Sequence, residues 1–345
     1  MVILGGDLHK RTHTIVAIDD TGRQLGEKTV AATPEGHLEL RRWASRFPAR
    51  RWALEDCRNL SRRLEADLLV AGEAVVRVPP KLMAAVRPSG REPGKSDPID
   101  ALAVARAALR EPDLPVATLD GPEREVRLLV DHRDDLIADR TDHIGRLRWH
   151  LHELGIPEPG PRTLDRTVVQ DRLAAALAGR TEPVARIARD LVERIRELST
   201  AIRALAREIE GLAAELAPTL LALPGVGGLT AAKIVGETAG MTRFRTKGAF
   251  ARHNGSAPVP VWSGNETRHR LSRGGNRQLN AALHRIAITQ IRMDPRGQAY
   301  FTHRREAGDT KSEAIRALCR RISDEVWRRL RAEEAGRVRL AALVA

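Results

Sequence analysis

Hydrophobic positions change their period twice along this chain. From residue 1 to about 115, short β-rich runs alternate with turn and helix signals: Val2–Asp7, Thr14–Asp19, Glu27–Ala32, Trp52–Glu55 and Ala74–Val78. Asp20-Thr-Gly supplies a turn between the second and third runs, so the first three predict an antiparallel meander. Thr33-Pro-Glu-Gly opens a helix carrying Leu38, Leu40 and Trp43. Leu60–Val70 reads as a second helix, and a third starts near Pro98.

Beyond Glu123 the period lengthens. Val130, Ile137, Ile144 and Leu151 recur at heptad spacing, with Leu147 and Leu154 adding a second line and Arg133 and Arg140 interrupting it. Gly155-Ile-Pro-Glu-Pro-Gly-Pro ends this helix, and Val184–Leu216 brings the chain back. The pair predicts an antiparallel helical hairpin. Its apolar seam serves equally well inside one chain or between copies.

The last third reads as mainly helical. Leu221-Ala-Leu-Pro-Gly-Val-Gly-Gly-Leu-Thr-Ala-Ala-Lys-Ile has the form of a helix-hairpin-helix, or else of an ordinary glycine-rich turn between helices. In the first case Gly225 and Gly227 allow close approach of a phosphate, and Thr230 and Lys233 lie at the start of the helix that receives it. A basic loop around Arg273, Asn276 and Arg277 feeds another helix. Ile315, Leu318, Ile322 and Val326 form the apolar stripe of a final helix rich in arginine on its other faces. The expected segments are therefore 1–115, an α/β domain; 116–217, a helical hairpin or coiled-coil connector; and 218–345, a helical domain.

Three antiparallel strands followed by βαβα is the strand order of a ribonuclease-H-like domain. Such a sheet sets its first and fourth strands side by side in parallel, so Asp7 and Glu55 meet at one edge. Asp97 and Asp100, in Lys-Ser-Asp-Pro-Ile-Asp-Ala, open the third helix. Four carboxylates from separate stretches repel one another unless a cation neutralises them. Mg²⁺ takes oxygen ligands, and two such ions stabilise attacking and leaving oxygens at a phosphodiester. Taken singly, Asp97 and Asp100 could equally be helix caps.

Composition narrows the partners. The 345 residues carry a formal charge of +13, which points to polyanions, nucleic acid first. Aromatic residues are 3%, so an electrostatic grip on a backbone is expected rather than stacked platforms. No apolar stretch approaches the ~20 residues of a membrane span. No secretory signal is apparent, and two cysteines, Cys57 and Cys319, suit a reducing cytoplasm. Lys10 and His9 follow Asp7 closely enough to contact substrate phosphate, and His9 reads as a packing or phosphate contact rather than a ligand. The histidines show no zinc-like spacing and read as surface residues. Ser263, between Trp262 and Gly264 in a tight irregular loop, is a candidate nucleophile, and Ser256 competes on the same grounds.

The chain resembles the DEDD transposases of the insertion sequence 110 family along nearly its whole length. Gly6-Asp7-Leu-His9-Lys10, Ala53-Leu-Glu55 and Lys95-Ser-Asp97-Pro-Ile-Asp100-Ala look like the blocks of that family's N-terminal domain, which is similar to the junction nuclease RuvC. Leu223-Pro-Gly-Val-Gly-Gly-Leu-Thr-Ala-Ala, Phe244–Gly255, Trp262-Ser263-Gly264 and Arg273-Gly-Gly-Asn-Arg look like its C-terminal transposase domain. The resemblance implies that Asp7, Glu55, Asp97 and Asp100 bind Mg²⁺ (two ions, with Mn²⁺ an alternative). It implies that Ser263, not Ser256, attacks DNA to form a covalent phosphoserine. It also implies a homo-oligomer, dimer or tetramer, with acids and serine from different subunits, and a structured guide RNA that directs the enzyme to donor and target DNA. Pairing by such a guide would account for the lack of a base-reading motif. Two departures stand out: Asp56-Cys57-Arg58 after the glutamate, and the loose Gly5-Gly6 before Asp7. The rival expectations are a junction nuclease using water and a non-catalytic basic nucleic-acid-binding protein.

Overall fold

A computed structural model describes residues 1–344 apart from 56–59, 81, 84–95, 112, 115, 161–162, 264–265 and 271–273. For 261–263, 266–268 and 340–344 it describes the backbone alone. Asp56, Cys57, Lys95 and Arg273 therefore lie outside the described residues or their neighbourhood. The chain divides into two compact units, Met1–Asp120 and Gly121–Ala345.

In the first unit β1 (Val2–Leu8), β2 (Thr12–Ile18) and β3 (Gln24–Ala31) form the meander. α1 (Pro34–Ala44), β4 (Arg50–Glu55), α2 (Arg62–Val70), β5 (Val75–Val78) and α3 (Asp97–Arg110) follow. The sheet order is β3-β2-β1-β4-β5, with β1 antiparallel to β2 and parallel to β4, as a ribonuclease-H-like domain requires. Alternation along the strands splits the core in two. Ile3, Val16, Ile18, Ala53, Val76 and Val78 meet the alanine-rich face of α3. Leu4, Ile15, Trp52, Leu54 and Val75 meet α1 and α2 through Leu40, Leu64 and Leu68 on the other side.

Gly5 decides how close α3 comes. A Cβ there would stand 2.4 Å from the Ala105 nitrogen and 2.5 Å from the Ala101 oxygen, so only glycine lets the helix backbone rest on the strand. The looseness of Gly5-Gly6 is thus a packing requirement. It sets the N-terminus of α3 beside the C-terminal end of β1.

The second unit opens with α4 (Pro122–Glu153), α5 (Thr167–Leu177) and α6 (Pro183–Leu216). α4 and α6 run antiparallel: Val126 and Val130 share a core with Ile209, Ala213 and Leu216, while Leu147 and Leu151 pack with Ala185, Ala188, Leu191 and Ile195. Midway, Ile137 and Ile144 are only half-buried, and Arg140 donates to the buried Ser199 Oγ across the hairpin at 3.2 Å. The seam is weakest there.

α7 (Pro218–Leu221), α8 (Gly228–Thr238), α9 (Lys247–His253), the hairpin β6 (Val259–Ser263) and β7 (Glu266–Arg270), α10 (Arg277–Met293), α11 (Pro295–Glu306) and α12 (Lys311–Val344) complete the unit. Ile315, Leu318, Ile322 and Val326 of α12 are buried in one core with Val126, Ile209, Ile234, Phe250 and Leu283. The base of the helical hairpin therefore belongs to the C-terminal core rather than forming a body of its own. No helix among the described residues is long and apolar enough to cross a membrane.

Candidate metal centre and transposase motifs

β1 ends at Leu8 and turns at once, His9 N–H donating to the Thr12 carbonyl at 2.9 Å. This turn folds the His9 ring back over Asp7. Its Nε2 lies 3.2 Å from Asp7 Oδ2 and 3.5 Å from Asp97 Oδ1. One ligand atom from each of Asp7, His9 and Asp97 can be chosen so that all lie within 4.8 Å of one another.

Asp97 is the first residue of α3 and Asp100 stands one turn on, so the two share a helix face. Ser96, the capping residue, makes no side-chain cap bond, and the Asp97 carboxylate faces His9. Asp7 is buried. Burial raises its pKa; His9 partly offsets this, and the like charges of Asp100 and Asp97 add to it. Glu55 ends β4, whose Leu54 is in register with Gly6, so the next position along each strand sets Glu55 beside Asp7. The three-residue grouping does not extend to Glu55 or Asp100. Lys10 is exposed in the same turn.

A buried carboxylate under this repulsion is a group that a hard cation would relieve, and two further acids and an imidazole stand ready as donors. The residues fit a divalent metal. The sequence reading undervalued His9, because its spacing from Asp7 resembles no metal motif; the β-turn, invisible to spacing rules, brings it in.

Two other histidines correct the expectation of surface positions. His13 and His37 are each only 2% exposed, and their rings stack at 5.3 Å on the sheet face opposite the acids. His37 Nδ1 lies 2.5 Å from Asp67 Oδ2, an acceptor, which puts the proton on Nδ1. Burial and the neighbouring His37 push His13 down from 6.5 to about 4. Their alternation with Leu8, Ile15 and Ala17 was the overlooked signal.

In the second unit, Gly225 turns at φ +84° against α10, and Thr230 is buried in α8 beyond Gly227. Lys233 is committed to ion pairs with Asp134 at 2.8 Å and Asp131 at 3.7 Å on α4. Asn276 caps α10, its Oδ1 accepting from the Gln278 and Leu279 N–H groups, while its Nδ2 donates to the buried Glu237. Arg277 is exposed at the first turn of α10. Gly275 packs so closely that a Cβ would meet the Gly255 nitrogen at 2.4 Å. The Gly-Gly-Asn motif thus locks the turn that precedes β6.

Ser263 closes β6, in register with Glu266 of β7, where a loop was expected. Gly264-Asn265 between them is a two-residue hairpin signal that reading the segment as loop passed over. Ser256 Oγ is buried with no partner among the described residues, and its N–H donates to Asn254 Oδ1.

Comparison with known proteins accords with this plan. A DEDD transposase model of the IS110 group matches residues 4–156, and the model for the transposase IS116/IS110/IS902 family matches residues 217–302. The 44.8 kDa protein of insertion element IS116 from Streptomyces clavuligerus is 29% identical over 378 residues, covering 95% of this chain and 94% of the relative. The 42 kDa protein of IS900 from Mycobacterium paratuberculosis is 27% identical, covering 95% of each. Thermus thermophilus RuvC in complex with a Holliday junction substrate superposes on 34% of this chain and 99% of its own, at 18% identity and a TM-score of 0.27. The chain belongs to the IS110 family of transposases.

Proposed function

We propose that this protein cleaves and exchanges DNA strands to move an insertion sequence. Asp7, Glu55, Asp97 and Asp100 would hold one or two divalent cations, Mg²⁺ by preference, and Ser263 would act as nucleophile. The observation that carries the reading is the convergence of Asp7, His9 and Asp97 at the joint of β1 and α3, in a chain of this family.

When bound, the cation supplies charge neutralisation and Lewis acidity at the scissile phosphate. Asp7, Asp97 and Asp100 set the negative field that selects it. His9, hydrogen-bonded to Asp7, orients that carboxylate. Lys10 lies on the solvent side of the turn, where a DNA phosphate would approach. In the chemical step a bond forms from Ser263 Oγ to phosphorus as one sugar-oxygen bond to phosphorus breaks. The freed sugar hydroxyl keeps the proton that serine gives up, and the number of phosphodiester bonds is conserved. Assembly of several copies and direction by a structured RNA belong to the same proposal; the +13 charge favours such polyanionic partners.

The test combines purified protein, Mg²⁺, element-end DNA and transcripts from the element's flanks. Expected are strand cleavage and a protein–DNA adduct that survives denaturation, both lost in Asp7→Asn, and the adduct lost in Ser263→Ala. Cleavage undiminished in Ser263→Ala would make the protein a nuclease that uses water. Full activity in both Asp7→Asn and Asp97→Asn would end the metal reading.

A further inference from the structure

The second unit contains a cavity of about 590 Å³ that no step above uses. Strand β7 contributes His269 and Arg270 to its wall, α10 contributes Asn280 and His284, and α11 contributes Tyr300 and Arg304. α12 adds Arg316, Arg320 and Arg321, so five arginines face two lining carboxylates, Asp309 and Glu313. Arg304 is held by Asp309 at 2.5 Å and Arg320 by Asp324, which fixes part of the wall. Arg321 differs. Its guanidinium lies 4.5 Å over the ring of Tyr300, the only tyrosine of the chain, and it has no carboxylate partner among the described side chains. It is exposed, so the outer plane of the guanidinium is open to the cavity.

We propose that this cavity binds an unpaired, single-stranded segment of nucleic acid. One or two nucleotides enter, a base lies on the Arg321–Tyr300 stack, and the adjoining phosphates are met by Arg270 and Arg316. Three features select this ligand. The volume is that of a pocket enclosing one drug-sized group, far too small for paired strands. A planar cation backed by an aromatic ring is a surface on which any base stacks. The surplus of arginine demands an anion, and arginines on three separate elements suit successive phosphates better than a single small ion. The inference rests on reading the chain as a nucleic-acid enzyme and adds a site for strand that is not duplex, whether DNA or RNA.

The experiment measures fluorescence anisotropy of the full-length protein with single-stranded DNA and RNA of about 12 nucleotides and with duplex DNA of the same sequence, across several salt concentrations. Arg270→Ala/Arg321→Ala, two exposed positions, is compared with wild type after matching circular-dichroism melts. The variant is expected to bind single strands about tenfold more weakly, with the log–log salt slope reduced by about 1.4, and duplex within about twofold of wild type. A loss confined to DNA or to RNA supports the site and names its source. Equal losses on single strand and duplex, or no loss, overturn it. Independently of any variant, 5-iodouracil in the oligonucleotide should photo-crosslink wild-type protein at Tyr300; adducts found only elsewhere also overturn it. Neither readout requires cleavage, so the cavity can fail while the metal-dependent reaction stands, and the reverse.

Discussion

The two faces of the N-terminal sheet put similar residues to opposite uses. On the α3 side, Asp7 continues the row Ile3-Gly5-Asp7 past the apolar core, and α3 delivers Asp97 and Asp100 to the same spot. On the α1 side, His13 continues the row Ala17-Ile15-His13 but stays inside the packing, stacked on His37, with Asp67 and Arg63 of α2 and His9 as its other charged or titratable neighbours. Burial opposes charge on both faces, raising the pKa of Asp7 and lowering that of His13. Neighbours make the difference. Asp7 has further acids and an open rim, so a cation can relieve it; His13 has only bases and apolar groups, so it settles as a neutral core residue.

The largest effect should come from the acid face. Asp7→Asn should reduce metal-dependent DNA cleavage by orders of magnitude and abolish the rise in melting temperature that Mg²⁺ or Mn²⁺ gives wild type, while DNA binding holds or tightens. A melting curve indifferent to either ion in wild-type protein would break the comparison at its root. Gly5→Val comes next: its side chain would collide with the α3 backbone, costing about 4 kcal/mol in chemical denaturation and displacing Asp97 and Asp100 from Asp7.

The histidine face predicts a pH effect of known sign. His13 titrates near 6.5 when unfolded and about 4 when folded, so between those values the unfolded chain binds more protons. Its contribution is fully present above 6.5 and is lost as pH falls toward 4, about 3 kcal/mol in all. His13→Phe should flatten that part of the stability profile, and an unchanged profile would show His13 is not its source. The smallest effect concerns Lys10 beside the acids. Lys10→Ala should weaken duplex binding severalfold and reduce the salt slope by about 0.9, leaving stability unaltered.

The fold of the first unit was legible because strand period, the Asp20-Thr-Gly turn and helix starts are local signals, and three antiparallel strands before βαβα leave few topologies. The acids could be picked out as residues at element ends, yet their convergence depends on how closely α3 sits on β1, a matter of Gly5 meeting Ala101 and Ala105. In the second unit the apolar stripes of α4, α6 and α12 were readable, whereas their merger into one core was not, since periodicity gives a face but not its partner.

By itself, then, the sequence determined the elements, the sheet order, the basic surplus and the residues able to carry metal chemistry, all of which follow from short-range patterning and composition. Only the tertiary structure decided which side chains those residues meet. It turned His9 into a neighbour of Asp7 and Asp97, buried His13 and His37, tied Lys233 and Asn276 into ion pairs and caps, and gathered arginines from three elements around Tyr300. Such meetings depend on long-range packing, where a single close approach of backbone to backbone moves a whole helix, and no local pattern encodes that distance.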